Sequence, residues 1–314
     1  MSKIVIAGAG PVGRTTAELL AATGHDVVVV SRSNPAGLPV GVKHVALDAS
    51  NAEALAKLAQ GARAIVNAVN PPYTSWTTDW PPLAAAFQRA AEVSGAALVT
   101  MSNLYAYGPV AKPMEPNTPL NAKGPKGKVR AKMWLDTKAA HDEGRIQAVE
   151  VRAGDFFGPR VTDASMGDRV VPKLLLGKKV QLIGRDDVVH GFAYMPDVAA
   201  TISAVIEDDA SWGRVWHAPA VHVTQRQLIE AFAGAAAMPV PKISTFPSTA
   251  LKILGLVVPI LRELREVEYQ FTKPFVVDSS ETASHFGLSA TATATAAEGT
   301  VDYFTRRARG AAQL

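Results

Sequence analysis

The sequence predicts an α/β fold: a doubly wound parallel sheet with a smaller C-terminal lobe. Three observations point there. A glycine-rich turn joins an N-terminal apolar run directly to a helical pattern. Strand-like and helix-like segments then alternate up to residue 152, and beyond residue 153 that regularity weakens.

Residues 3–7 are a short apolar run that stops at Gly8-Ala9-Gly10-Pro11-Val12-Gly13, and a helical pattern opens through Thr15, Thr16, Ala17, Leu19 and Leu20. A strand, a glycine turn and a helix start together form the arrangement that binds a dinucleotide pyrophosphate. Gly8 allows the tight turn. Gly10 carries no side chain to hold the phosphates off, and Gly13 lets the helix pack on the strand. The helix N-terminus then faces the negative charge, with Pro11 and Val12 in its first turn.

The β-branched run at 27–30 reads as a strand buried on both faces. Residues 43–47 form a third strand and 52–58 a helix. A fourth strand at 64–69 ends in the breaker Asn70-Pro71-Pro72. Residues 83–93 read as a helix, 97–101 as strand five, 126–140 as a helix and 146–152 as strand six. This order demands right-handed crossovers and a parallel sheet. Gly154 to Pro159 is a turn-rich junction. After it short segments mix, among them 180–183, 198–206 and a helix near 225–236. Residues 290–297 alternate Ala and Thr and lead into a last amphipathic helix through Val301, Tyr303 and Phe304. The expected division is a dinucleotide-binding domain at 1–155 and a mixed substrate lobe at 156–314, with some of its segments returning to the first.

Composition narrows the function classes. The 314 residues are 48% apolar and 19% charged, enough for a full globular core. A net charge of +4 is small for this length and argues against a nucleic-acid binder. With no cysteine, disulfides, thiolate metal sites and cysteine catalysis are excluded. The seven histidines show no H-x-x-x-H spacing, so no metal site is expected. No G-x-S-x-G elbow is present, which argues against a serine hydrolase. The N-terminal apolar run ends in the glycine turn and reads as strand one rather than a leader. The apolar stretch 253–261 is interrupted by Pro259 and is too short to span a bilayer; it reads as a core or lid helix. A cytoplasmic location without nucleic-acid or membrane partners is the expectation, with monomer and homodimer both open.

The chain resembles the extended short-chain dehydrogenase/reductase family, the NAD-dependent epimerase/dehydratase group. The resemblance rests on the glycine loop, on Asp48 after strand three and on Ser102 to Gly108 after strand five. It rests also on Val151 to Pro159 and on Phe192 to Ala199. It implies a Rossmann dinucleotide-binding core. The glycine spacing is one residue tighter than is usual in that group and is similar to that of atypical members. The family uses a Ser or Thr to hold the substrate oxygen, a Tyr to move the proton and a Lys four residues on to bind the ribose. Alignment on Tyr107-Gly108 puts the Ser/Thr place at Asn103, with Ser102 before it. The Tyr place falls on Lys126 and the Lys place on Arg130, so the scaffold is kept and the proton-transfer residues are changed.

Lys126 and Arg130 are four apart and share a helix face; Lys128 and Lys132 lie on roughly the opposite one. Lys126 is therefore the candidate acid, with Arg130 beside it disfavouring a second charge, and Arg130 is the candidate ribose ligand. Solvated helix charges are the competing reading for all four. Tyr105 and Tyr107 are alternative proton sources, and Tyr73 is expected to line the substrate pocket; each reads equally as a packed aromatic. Ser31 and Arg32 stand where an acidic residue would bind the ribose of NAD. A hydroxyl and a guanidinium suit a 2′-phosphate instead, so NADP is expected, with NAD open. Arg14 is a further candidate there. By resemblance Asp48 falls beside the adenine; otherwise it is a helix cap. His190 takes the place of a diphosphate-binding arginine, which argues against nucleotide sugars and leaves His190 as a substrate-side residue or a hydrogen-bonded turn residue. The resulting expectation is an NADP-dependent oxidoreductase acting on a small organic carbonyl or alcohol. A non-catalytic NAD(P)-binding sensor and an epimerase or dehydratase are the alternatives.

Overall fold

The computed structural model describes residues 1–246, 263 and 265–311. Its centre is a seven-stranded parallel sheet built from β1 (Lys3–Ala7), β2 (Asp26–Ser31), β3 (Lys43–Ala46), β4 (Ala62–Asn67), β5 (Ala97–Asn103), β6 (Ala148–Ala153) and β10 (Val215–His217). The order across it is β10-β6-β5-β4-β1-β2-β3, so the direction of winding reverses beside β1 and β4. The central strands are apolar on both faces because both are covered. On one side α1 (Pro11–Ala22) and α6 (Met195–Glu207) bury Val12, Ala17, Leu20, Val198, Ile202, Val205 and Ile206 against the sheet. On the other side α2 (Ala52–Ala59), α3 (Trp76–Ser94) and α4 (Pro125–Asp142) contribute Leu55, Ala59, Phe87, Ala91 and Ala140.

The remaining elements build the C-terminal lobe. Strands β7 (Asp155–Phe157), β9 (Val189–Tyr194) and β11 (Val221–Thr224) form one small sheet in the order β11-β9-β7. Strands β8 (Val180–Ile183) and β12 (Ile243–Phe246) form another. Helices α5 (Val171–Leu175), α7 (Gln225–Ala235) and α9 (Thr293–Ala311) pack on them around Phe157, Phe192, Leu228, Phe232 and Phe304. A short helix, α8 (Ser280–Phe286), lies against β10.

Three segments differ from their sequence reading. Helix α3 begins at Trp76, not 83, and carries Pro81 and Pro82 inside it. Interior prolines cost backbone hydrogen bonds; burial of Trp76 at 3% and Trp80 at 0% exposure offsets that loss. Residues 198–206, ambiguous in isolation, belong to α6, where Val198, Ile202, Val205 and Ile206 recur at helical spacing. The Ala/Thr run is helical from Thr293 onward, earlier than the aromatic pattern suggested. The apolar stretch 253–261 lies outside the described residues. Among those that are described, no helix is long and apolar enough to cross a membrane.

The loop after β5 is pinned from beneath. Its turn, Tyr105–Tyr107, buries Tyr107 completely. The Tyr107 hydroxyl donates to His217 Nε2 at 2.7 Å, and His217 Nδ1 lies 2.8 Å from the Asp278 carbonyl. A carbonyl only accepts, so Nδ1 carries the hydrogen and Nε2 is free to accept. The Arg152 guanidinium sits 4.7 Å from the Tyr107 ring centroid and pairs with Glu150 at 2.5 Å. Burial pushes His217 down to about 4 from 6.5, with the Arg152 charge adding to it, and pushes Tyr107 up to about 12.

The unfolded chain therefore binds a proton at His217 before the folded protein does. Stability from this residue is complete above about pH 6.5 and is lost as pH falls towards 4. Denaturant unfolding should show about 3 kcal/mol of stability lost through this residue across that range, from 1.36 kcal/mol per pKa unit. His217→Gln should flatten that part of the profile. An unchanged slope in the variant would mean that other groups set it.

Candidate functional site

The parallel sheet brings the ends of β1, β2, β4 and β5 to one edge, where open α/β sheets bind ligands. At β1 the three glycines meet different demands. Gly8 has φ +113°, and a Cβ there would lie 2.5 Å from the Ala68 carbonyl oxygen. At Gly13 a Cβ would come within 1.9 Å of the Gly8 oxygen. Both are required by the fold itself. Around Gly10 a Cβ would meet no atom within 4 Å, so this glycine opens onto empty space. Gly10 is also the N-cap of α1 and supplies no side-chain acceptor; Pro11 follows it. The amides of Val12 and Gly13 are in the first helical turn, whose N–H groups lack intrahelical partners. Backbone donors beside open space suit a dinucleotide pyrophosphate.

At the end of β2 the Ser31 hydroxyl donates to the Ser33 carbonyl at 2.7 Å and meets His44 Nε2 at 2.9 Å. Arg32 is exposed. Arg14 donates to the carbonyls of Ala9 at 2.8 Å and Ala36 at 2.7 Å, tying the loop after β2 to the glycine turn. Its Nε and Nη1 are thus spent on loop geometry. Asp48 accepts from the amide and the hydroxyl of Ser50 at 2.9 and 2.8 Å. These bonds, with the nearby Arg32 charge, hold its carboxyl below the usual range. Asn51, not Asp48, caps α2.

Helix α4 carries the second half of the site. Lys126 and Arg130 are buried at 2% and 5% exposure, while Lys128 and Lys132 stand in solvent. The Arg130 guanidinium packs against two indoles, 4.5 Å from Trp76 and 4.2 Å from Trp80. Its Nε and Nη1 are buried without a protein acceptor. Burial pushes it down to about 10, which leaves it charged at neutral pH. The Lys126 ammonium rests 4.6 Å from the Tyr73 ring, contacts the Glu263 carboxylate and lies 3.9 Å from Glu266. Glu266 also accepts from the amides of Lys126 and Gly127 at 2.8 and 3.2 Å. These two carboxylates compensate the lysine's buried charge.

Tyr73 and Tyr105 interact through their hydroxyls, and burial raises both, so neither is an easily ionised phenol. The Tyr73 oxygen has no partner at full hydrogen-bond geometry. Ser102 and Asn103 end β5; the Asn103 side-chain Oδ1 accepts from the Tyr105 amide at 3.1 Å and shapes the turn. Tyr73, Tyr105, Lys126 and Arg130 thus come together. Two candidates do not join them. Tyr107 is a core residue whose hydroxyl is committed to His217, because the turn rotates it beneath the loop. His190 is corrected likewise: it is 1% exposed, stacks on Phe271 at 4.8 Å and bonds the Gln270 carbonyl at 2.9 Å. The bridge between His190 and Phe275 lays that segment over the ring and leaves it no open face. Among the described residues, no group of three or more His, Asp or Glu is arranged to hold a metal.

Sequence reasoning missed Glu263, Glu266, Trp76 and Trp80. The glutamates lie 137 and 140 residues after Lys126, beyond any local pattern. Their three-residue spacing was the available signal for a shared face. The tryptophans lie in the first turns of α3, ahead of the 83–93 read as helical.

A Rossmann sheet with this glycine turn and this α4 pair defines a dinucleotide-binding α/β protein. The family model described as the NAD dependent epimerase/dehydratase family matches residues 4–217, and the chain belongs to that family. No curated protein sequence matches it. Among solved structures it is similar to the UDP-glucose 4-epimerase of Thermotoga maritima, solved with UDP-glucose, at TM-score 0.80 and 15% identity, covering 98% of this chain and 99% of that one. It is similar also to the UDP-glucuronic acid 4-epimerase of Bacillus cereus, solved with NAD, at TM-score 0.79, 16% identity and 97% and 99% coverage. The dTDP-glucose 4,6-dehydratase of Bacillus anthracis, also with NAD, aligns at TM-score 0.77 and 14% identity over 98% of each chain. At these identities the likeness establishes the fold.

The different demands on the glycines separate binding from folding. Gly13→Ala should destabilise the protein by about 3 kcal/mol or more, since the clash is with backbone. Gly10→Ala should leave thermal stability nearly unchanged and weaken dinucleotide binding in a titration. Equal stability losses in both would remove the case for Gly10 as a ligand-facing residue.

Proposed function

We propose that the protein is an NADP-dependent oxidoreductase acting on a small organic carbonyl or alcohol. The observation that carries this reading is the buried pair on α4: Lys126 beside two tyrosines, and Arg130 with two N–H groups lacking a protein acceptor. The dinucleotide supplies or accepts the hydride when bound. The turn from Gly8 to Gly13 holds its pyrophosphate, and Asp48 lies on the adenine side. Nε and Nη1 of Arg130 bind ribose hydroxyls, which are the acceptors they lack. Lys126 donates a hydrogen bond or proton to the substrate oxygen, and Ser102, Asn103, Tyr73 and Tyr105 line the pocket. The substrate is small because His190, in the place of a diphosphate-binding arginine, is enclosed by Phe271 and Phe275.

NADP is preferred over NAD because Ser31 and Arg32 replace an acidic ribose ligand. Arg32→Ala should weaken NADPH binding about 10- to 100-fold, the worth of a charge-assisted hydrogen bond, and leave NADH binding nearly unchanged. Tighter binding of NADH than of NADPH by the unaltered protein would overturn the preference.

The competing reading is a protein that binds the dinucleotide without turnover. It is favoured by the carboxylates already engaging Lys126. An epimerase or dehydratase, the activity named for the similar structures, fits less well because the family tyrosine is a lysine here. The deciding experiment follows NADPH oxidation with a panel of small aldehydes and ketones, alongside UDP- and dTDP-sugars. Turnover is expected with the small carbonyls only. Lys126→Ala should reduce it about 10²–10⁴-fold with NADPH affinity intact, and Lys128→Ala should change neither. A tightly bound cofactor that no carbonyl oxidises would favour the binding protein.

A further inference from the structure

We propose that Glu263 and Glu266 are positioning residues for Lys126: Glu266 fixes the first turn of α4, and Glu263 holds the lysine ammonium. Local sequence cannot provide either service. No acidic residue occurs between Glu115 and Asp136, whereas Lys123, Lys126, Lys128, Arg130 and Lys132 all fall there. The helix places Lys126 and Arg130 near its positive end, where cations are disfavoured. Its N-cap is Gly124, which has no side chain to accept the first amides, and its first turn has no acid. An ammonium whose side chain is 3% exposed also needs a counter-charge.

The segment at 263–271 meets both needs from the far side of the sequence. One oxygen of Glu266 takes the amides of Lys126 and Gly127, acting as an N-cap contributed in trans. Glycine at 124 makes room for it, since a Cβ there would lie 2.4 Å from Glu266 Cγ. Gly127 fits under the β5 loop for the same kind of reason: its Cβ would meet the Tyr105 carbonyl at 2.5 Å. The turn is therefore gripped between that loop and Glu266. Glu263 then engages Nζ directly. The backbone and the ammonium are held by different carboxylates, so the two roles are separable. The effect on turnover rests on Lys126 being the acid; the strap itself does not.

The test uses the full-length protein and acylation by N-hydroxysuccinimidyl acetate, read by mass spectrometry at Lys126 and Lys128. Glu263→Gln should speed labelling of Lys126 about tenfold, because the charge-assisted contact that holds the ammonium in place is weakened. Lys128 should not change. Glu266→Ala should lower both thermal midpoint and turnover. Glu266→Gln, which keeps an oxygen for the amides, should recover most of the midpoint. Unchanged Lys126 labelling in both Glu263→Gln and Glu263→Ala overturns the role of Glu263. Equal midpoint losses in Glu266→Gln and Glu266→Ala overturn the capping role. If Lys126→Ala keeps full turnover while labelling still responds to Glu263, the strap stands and the reading of Lys126 as the acid fails. If labelling does not respond while Lys126→Ala abolishes turnover, the acid stands and the strap fails.

Discussion

A buried ammonium must have a partner, and much of this site follows from how Lys126 obtains one. Breaking a buried ion pair from one side typically costs about 3–5 kcal/mol, because the remaining charge is left uncompensated. Lys126 draws its partners from Glu263 and Glu266, so the C-terminal half of the chain must close over the N-terminal turn of α4. Arg130, one helical turn on, meets the same constraint differently. Two indole faces stand in for carboxylates, and its Nε and Nη1 are buried without a protein acceptor. One helix face thus carries a cation satisfied by the protein and a cation only partly satisfied by it.

That difference has chemical consequences. A lysine between two carboxylates and a tyrosine ring is aimed by its surroundings, and three rotatable donors let it serve a further acceptor. A guanidinium packed against two indoles has a fixed fork and cannot follow a moving partner. The first arrangement suits an oxygen whose charge changes, and the second suits hydroxyls that stay put. A tyrosine–lysine pair in these places would divide the work the other way. The aromatic packing of Tyr73, Trp76 and Trp80 is part of the same arrangement, since it excludes water from both cations.

The fold was legible because its signals are local. A glycine turn, β-branched runs and alternating periods are all contained within windows of about ten residues, and they locate every strand of the main sheet up to β6. Helical spacing paired Lys126 with Arg130 and Lys128 with Lys132, but which pair turns inward came from the family resemblance rather than from local pattern. What was not legible depended on distant residues. His190 and Tyr107 carry polar atoms that a sequence reading assigns to a pocket. The Tyr107 hydroxyl and His190 Nδ1 are instead taken up by groups far along the chain, at His217 and Gln270. Helix α3 starts seven residues before its sequence reading, because burial of Trp76 and Trp80 outweighs the low helix propensity of Pro81 and Pro82.

The enclosed His190 also bears on how far the fold's usual business extends to this chain. In this chain the segment at 268–275 lies directly across β9. Phe271 stacks within 7° of parallel on the imidazole, and its carbonyl takes the Arg185 amide at 2.8 Å. Gly184 permits that approach: a Cβ there would lie 2.5 Å from the same oxygen. Opening this region to a diphosphate would mean breaking an aromatic stack and a backbone hydrogen bond, and the histidine it exposed would offer at most one charge. Glu266, two residues before that segment, reaches Lys126, so the stretch of chain that closes over His190 also delivers the lysine's counter-charge.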